Sequence, residues 1–332
     1  MWTLASEDDE SAAIDEIKKS ERSRVCDSKI VGSDERGIMG TDFMDWGSKT
    51  DLFSSSGFCG TDLVQSYRGV REEETSLMVE KIRELGASSN PVNLSNVMAS
   101  LTNDVICRVA LGKKYGSGSD FKETFAEIVE LLGVVPFWEY IPWLRWMRRV
   151  RERREGDGVE LDFVDIFLDF QRENASRTPI EDDTIKAIVL NIFGAGTDTT
   201  FTALEWAMTE LVPNPDTMIT LQNEVREVAG SKDEIDEHDL EKMPYLKAAM
   251  KESLRDNSLW KYPEEFRSER FLGMDIDFRG LHLELTSFGA DRRGCPGITF
   301  AVAVDELALG KLVHKFDFRL PNGAKMKDLD LS

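Results

Sequence analysis

The first 62 residues or so are polar, rich in Ser, Asp, Glu and Gly, and keep no sustained period of apolar positions. Such a stretch reads as disordered or loosely packed. The pattern changes near Leu63. Leu77, Met78, Ile82 and Leu85 recur at helical spacing and predict a helix over Arg71–Leu85. Leu94, Val97, Met98, Leu101, Val105 and Val109 predict a second over Asn93–Ala110, and Phe121–Leu132 and Leu161–Gln171 read as two more. A capping box, Thr178-Pro179-Ile180-Glu181, opens a long helix that runs to about Leu211, where Pro213 and Pro215 stop it. Asn214 is placed to cap the next helix, which ends near Gly230, and Pro244 precedes one over Tyr245–Arg255. After an irregular stretch, the apolar run Ile298–Val304, continuing through Leu307, Ala308 and Leu309, predicts a buried helix. The chain is mainly α, with few strands and no repeat.

Between these elements, Phe137, Trp138, Tyr140, Trp143 and Trp146 crowd together just ahead of Arg148, Arg149, Arg151, Arg153 and Arg154. A peripheral membrane contact accounts for this pattern as well as a packed aromatic cluster beside a solvated basic helix end does. A formal charge of −21 over 332 residues argues against nucleic acid as a partner. Four unpaired-looking cysteines, Cys26, Cys59, Cys107 and Cys295, and no visible secretory signal fit a reducing compartment. No stretch approaches the roughly 18 apolar residues of a membrane span.

Three stretches carry candidate chemistry. Cys295 lies in a tight loop, Phe288-Gly-Ala-Asp-Arg-Arg-Gly-Cys-Pro-Gly297, immediately before the apolar helix. The N–H groups and dipole at that helix start favour a thiolate, the form an iron ligand needs. For a lone cysteine the plainer alternative is a small buried hydrophobe. The long capped helix contains Gly194-Ala195-Gly196-Thr197-Asp198-Thr199-Thr200. Each glycine there costs about 1 kcal/mol relative to alanine, so the pair calls for a local reason. It is either close approach of a flat ligand beside an acid–alcohol pair that relays protons, or a helix bend with back-bonded threonines. Finally, Glu252 and Arg255 stand three apart on one helix face.

Taken in order, these stretches resemble the cytochrome P-450 monooxygenases, from roughly Leu63 to Ser332, and look most like the plant microsomal type. The cysteine loop matches the family's Phe-x-x-Gly-x-Arg-x-Cys-x-Gly at every fixed position but Asp291, where the family has glycine. The helix segment matches the oxygen-activation motif, and Pro263–Phe271 resembles the family's Pro-Glu-Arg-Phe segment. The resemblance implies a largely helical fold with few short strands and a haem (iron protoporphyrin) ligated by Cys295. Ala195, Gly196, Phe288, Arg293 and Gly297 would contact that cofactor, Arg293 through a propionate. Asp198 and Thr199 become the acid–alcohol pair of oxygen activation, and Arg270 joins Glu252 and Arg255 in a structural cluster. The implied partners are NADPH–cytochrome P-450 reductase and a small lipophilic substrate. Asp291 would place a second negative charge near the thiolate and weaken haem retention.

The same comparison exposes gaps. Only seven residues separate Arg255 from Pro263, where the family has a long block lining the substrate cavity. Around Val150–Arg154 the chain passes abruptly to Arg-rich sequence, and no Trp-Arg helix resembling a propionate clamp precedes Tyr67. Two functions from different classes follow: a monooxygenase, or a non-catalytic, shortened relic without a complete haem and substrate pocket. The family's membrane anchor is not recognisable, so the expected location is cytoplasmic or peripheral on the endoplasmic reticulum.

Overall fold

The computed structural model describes residues 61–87, 92–112, 114, 163–174, 182–278, 282, 284–285, 287–289 and 294–318. Eight α-helices lie among them: α1 (Thr61–Ser66), α2 (Arg68–Ala87), α3 (Leu94–Leu111), α4 (Phe163–Asn174), α5 (Asp182–Leu211), α6 (Pro215–Ala229), α7 (Pro244–Ser253) and α8 (Ile298–Lys315). Short 3₁₀ turns occupy Asp239–Lys242, Asn257–Leu259 and Ser268–Phe271, and no strand occurs among the described residues. The helix expected over 121–132 and the aromatic–arginine stretch 134–154 lie outside the described residues, as do residues 1–60 and the capping box at 178–181.

The chain forms two compact units, Met1–Leu101 with Thr200–Ser332, and Thr102–Thr199. In the first, α8 is the central element and packs against α2, α6 and α7. Its residues Val304 to Val313 are all buried. The partners bury matching stripes at helical spacing: Val70, Met78, Val79 and Ile82 on α2, and Met218, Leu221, Val225 and Ala229 on α6. Two cations are drawn into this core and are met there. Arg71, 0% exposed, donates to the Val64 carbonyl at 2.7 Å and to Glu237 at 2.5 and 2.8 Å. Lys311 donates to the Glu72 carbonyl at 2.9 Å and to Ser76 Oγ at 2.6 Å. Both draw α2 onto its neighbours.

The start of α6 differs from expectation. Asn214 does occupy the cap position, but its side chain accepts no N–H from α6. Its amide instead donates back to the Glu210 carbonyl at 2.7 Å, closing the end of α5. In the second unit, Val105, Ile106 and Val109 of α3 and Phe167 of α4 are buried. Among the described residues, no helix is long and apolar enough to cross a membrane.

Candidate functional site

The cysteine loop closes on itself. The N–H of Cys295 donates to the carbonyl of Phe288 at 2.7 Å, and Gly289 turns the chain just after Phe288 with φ 71°. Glycine is suited to that left-handed backbone because it has no Cβ to clash. Phe288 is anchored edge-on against Phe278, ring centroids 5.3 Å apart. Together with Ile298 and Val302 it packs on a buried cluster of Ala248, Phe271, Phe278 and Leu285. The cysteine is therefore held at the start of α8 by an apolar footing below the loop and a closing hydrogen bond within it.

Cys295 as a residue is exposed. The surrounding protein still desolvates it, which raises the thiol pKa, and the N–H of Gly297 pulls the other way. The upward push wins. The helix-start N–H that favours a thiolate is present, and a metal ion on the sulfur would add a cation that opposes the upward push. An exposed cysteine backed by a glycine N–H, next to a firmly packed phenylalanine, fits the axial donor of a haem iron. Asp291 and Arg293 lie outside the described residues.

In the same unit, Glu252 of α7 gathers both predicted arginines. Its Oε1 accepts from Arg255 Nε at 2.8 Å and from the backbone N–H of Arg267 at 2.8 Å, and lies 3.3 Å from Arg270 Nε. The Glu252 side chain is 0% exposed, Arg255 5% and Arg270 10%. Of the remaining guanidinium N–H groups, Arg255 Nη1 donates to the Asn257 side chain and others donate to main chain. Arg255 donates to the carbonyl of Pro263 at 2.6 Å, and Arg270 to those of Tyr262 at 2.7 Å, Glu265 at 2.9 Å and Lys261. Burial raises the Glu252 carboxyl, opposed by the Arg267 N–H, Arg255 and Arg270. Spacing alone would make Glu252–Arg255 a surface pair of little worth. Burial makes it a cluster whose rupture costs about 3–5 kcal/mol.

In the second unit, Ala195, Gly196, Asp198 and Thr199 lie on consecutive turns of α5. Ala195, Asp198 and Thr199 are exposed. The Thr199 hydroxyl donates to the Ala195 carbonyl at 2.5 Å, the back-bonded arrangement weighed above. A Cβ on Gly196 would meet Ile106 Cδ1 at 2.8 Å, so this glycine admits a neighbouring helix closely. Phe288, Cys295 and Gly297 thus share one loop, Glu252, Arg255 and Arg270 share one buried cluster, and the α5 residues form a third group belonging to the other unit. Two further residues, Trp260 and Ser287, tie the loop's approach to the end of α7. A tryptophan within a short bridge and a serine directly before Phe-Gly were the available signals.

The family model described as Cytochrome P450 matches residues 10–158, 147–256 and 254–332. The chain belongs to the cytochrome P450 family. This P450 is 49% identical to cytochrome P450 71A6 of Nepeta racemosa, over 81% of the chain and 69% of that protein. It is 44% identical to (+)-menthofuran synthase of Mentha piperita (81% and 67%) and 41% identical to cytochrome P450 736A117 of Prunus mume (81% and 66%). It is a plant A-type P450, a member of a family of haem-thiolate monooxygenases, and it spans about two thirds of the length of these relatives.

Where the P450 is shorter can be located. Its alignment with the Nepeta protein covers 352 positions, more than the 332 residues of the chain, although only 81% of the chain takes part. The chain therefore skips positions inside the aligned span. The family model matches in three stretches whose joins fall at 147–158 and 254–256. Those are the two internal places where the sequence breaks off from the family pattern. The first match also reaches back to residue 10, further than the resemblance read from Leu63 onward.

Proposed function

We propose that this chain is a haem-dependent monooxygenase that inserts one atom of O2 into a small lipophilic substrate. Its electrons come from NADPH through NADPH–cytochrome P450 reductase. The observation that carries this reading is the setting of Cys295, an exposed cysteine at a helix start with Phe288 packed at the entry of its loop and the Glu252–Arg255–Arg270 cluster buried in the same unit. In this reading Cys295 is the axial ligand, and Phe288, Gly297, Arg293, Ala195 and Gly196 contact the cofactor. Bound haem supplies the one-electron and oxygen chemistry. Asp198 and Thr199 then move protons. The Thr199 hydroxyl hydrogen is engaged by the Ala195 carbonyl, so delivering a proton requires that hydroxyl to rotate away from its own helix.

A second reading is favoured by the joins at 147–158 and 254–256. In it the chain is a non-catalytic, shortened P450 whose motifs outlast an enclosed substrate pocket. An absorption spectrum of the reduced, carbon monoxide-treated protein separates the two. The first reading expects the red-shifted Soret band of a thiolate complex, its complete loss in Cys295→Ala, and reductase-driven formation of a hydroxylated product. A chain without that band, or with the band surviving in Cys295→Ala, removes the assignment of the ligand. The band without any product formation supports the second reading. The expected location, cytoplasmic or peripheral on the endoplasmic reticulum, is checked by carbonate extraction.

A further inference from the structure

The second join of the family matches falls at residues 254–256, where α7 ends. The short bridge that follows is bound to the segment leading into the cysteine loop by two side-chain hydrogen bonds. Trp260 Nε1–H donates to the carbonyl of Glu284 at 3.3 Å. The Ser287 hydroxyl donates to the carbonyl of Leu254 at 2.5 Å, across 33 residues of sequence. Between these two ties lies Leu285, 0% exposed, in the cluster on which Leu254, Trp260 and Phe288 also pack. Carbonyls at the end of a helix have lost their intrahelical N–H partners, and the serine hydroxyl supplies one. One residue further on, the Phe288 carbonyl accepts the N–H of Cys295 at 2.7 Å. A single peptide unit thus links the hydroxyl's anchor to the bond that closes the loop.

We infer that Ser287 is a positioning residue for Cys295: its hydroxyl fixes the entry of the cysteine loop onto the end of α7, across the shortened bridge. Without that tie the Phe288 carbonyl loses the hydrogen-bonded anchor nearest to it on its N-terminal side, and the loop-closing bond opens more often. Trp260 supports the same segment three residues earlier. The inference rests on the reading of Cys295 as the ligand, but the geometry that carries it lies wholly in the polypeptide.

Amide hydrogen exchange on the full haem-free chain tests it, comparing wild type, Ser287→Ala and Ser287→Thr. The expected result is roughly two- to tenfold faster exchange at the Cys295 amide in Ser287→Ala, the factor one net hydrogen bond is worth. Exchange in α2 and the middle of α8 should be unchanged, and Ser287→Thr should restore the wild-type rate. After haem is added, Ser287→Ala should show a smaller share of its reduced carbon monoxide complex in the thiolate band, again restored by threonine. Unchanged exchange at Cys295, equal acceleration throughout the unit, or a threonine variant that behaves like alanine would each overturn the inference. A chain that takes up no haem yet shows the local exchange pattern keeps the positioning role and loses the ligand reading. Unaltered exchange in a chain with the thiolate band does the reverse.

Discussion

Glu252 and Asp305 are both sealed from solvent, at 2% and 0% exposure, in the same compact unit. Glu252 is met at Oε1 by Arg255, Arg270 and the N–H of Arg267, while its Oε2 has no hydrogen-bond partner among the described residues. Asp305, on the buried face of α8, has no hydrogen-bond partner at either carboxylate oxygen among the described residues, and its neighbour Glu306 adds a like charge. Burial pushes both carboxyls up. At Glu252 three groups oppose the push, whereas at Asp305 Glu306 reinforces it. Depth alone therefore says little about what a buried acid does. A charge that has collected its partners joins elements of the fold, and one without them works against the helix that carries it.

Glu252→Gln should show the larger effect. It leaves two guanidinium groups, 5% and 10% exposed, facing a neutral amide. Removing one partner of a buried ionic cluster costs about 3–5 kcal/mol, read as a lower urea midpoint for the unit containing α7 and α8. The bridge 256–263 should loosen with it, because Arg255 and Arg270 also hold the carbonyls of Lys261, Tyr262 and Pro263. A loss below about 1 kcal/mol would place the cluster with exposed surface pairs and erase the contrast with Asp305.

Asp305→Leu should act in the opposite direction. A carboxyl whose pKa is higher in the folded state binds more protons folded than unfolded, so stability falls as pH rises. For Asp305 the loss begins near the ordinary value of 3.8. For Glu306, pushed up to about 7 chiefly by burial, with Lys247 and Lys251 pulling down and Glu237 pushing up, it begins near 4.5 and is complete above about 7. Replacing Asp305 by leucine should thus stabilise the chain by about 1–3 kcal/mol at pH 8, the cost of an unpaired buried polar group, and by much less at pH 4. Urea unfolding at the two pH values measures it. An equal change at both, or destabilisation at pH 8, would mean the carboxylate is satisfied.

The features that were legible in the sequence are those with a local period. The buried run of α8 follows from its apolar sequence, and Glu252 with Arg255 follows from three residues' separation on one helix, whereas on α2 only Met78 and Ile82 of the expected stripe are buried and Leu77 and Leu85 face solvent. Arg270 came only from the resemblance, since it stands 18 positions after Glu252, beyond an intervening 3₁₀ turn. Asp305 stood in plain view as an acid inside an apolar run, yet periodicity assigns a face and not a partner. Ser287–Leu254 and Trp260–Glu284 span 33 and 24 residues, and no local pattern encodes such contacts. Gly196 shows the same limit. A small residue signals close approach, but only the fold shows that Ile106 is what comes close.

Thr199→Ala should have the smallest effect on stability, and it extends the contrast from buried acids to an exposed alcohol. The hydroxyl donates to the carbonyl of Ala195, which belongs to the same helix. That carbonyl keeps its place in the α-helical ladder when the side chain is lost, and alanine is the better helix former by a few tenths of a kcal/mol. The change in unfolding free energy should therefore stay within about 0.5 kcal/mol. If the chain turns over, the functional effect should be large. A side chain that delivers protons during oxygen activation leaves, when removed, a reaction whose reducing equivalents end as peroxide instead of hydroxylated product. The ratio of product formed to NADPH consumed reads this directly. A fall in that ratio with stability unchanged assigns Thr199 to proton delivery. Unchanged coupling would return it to the back-bonded role its geometry already fills.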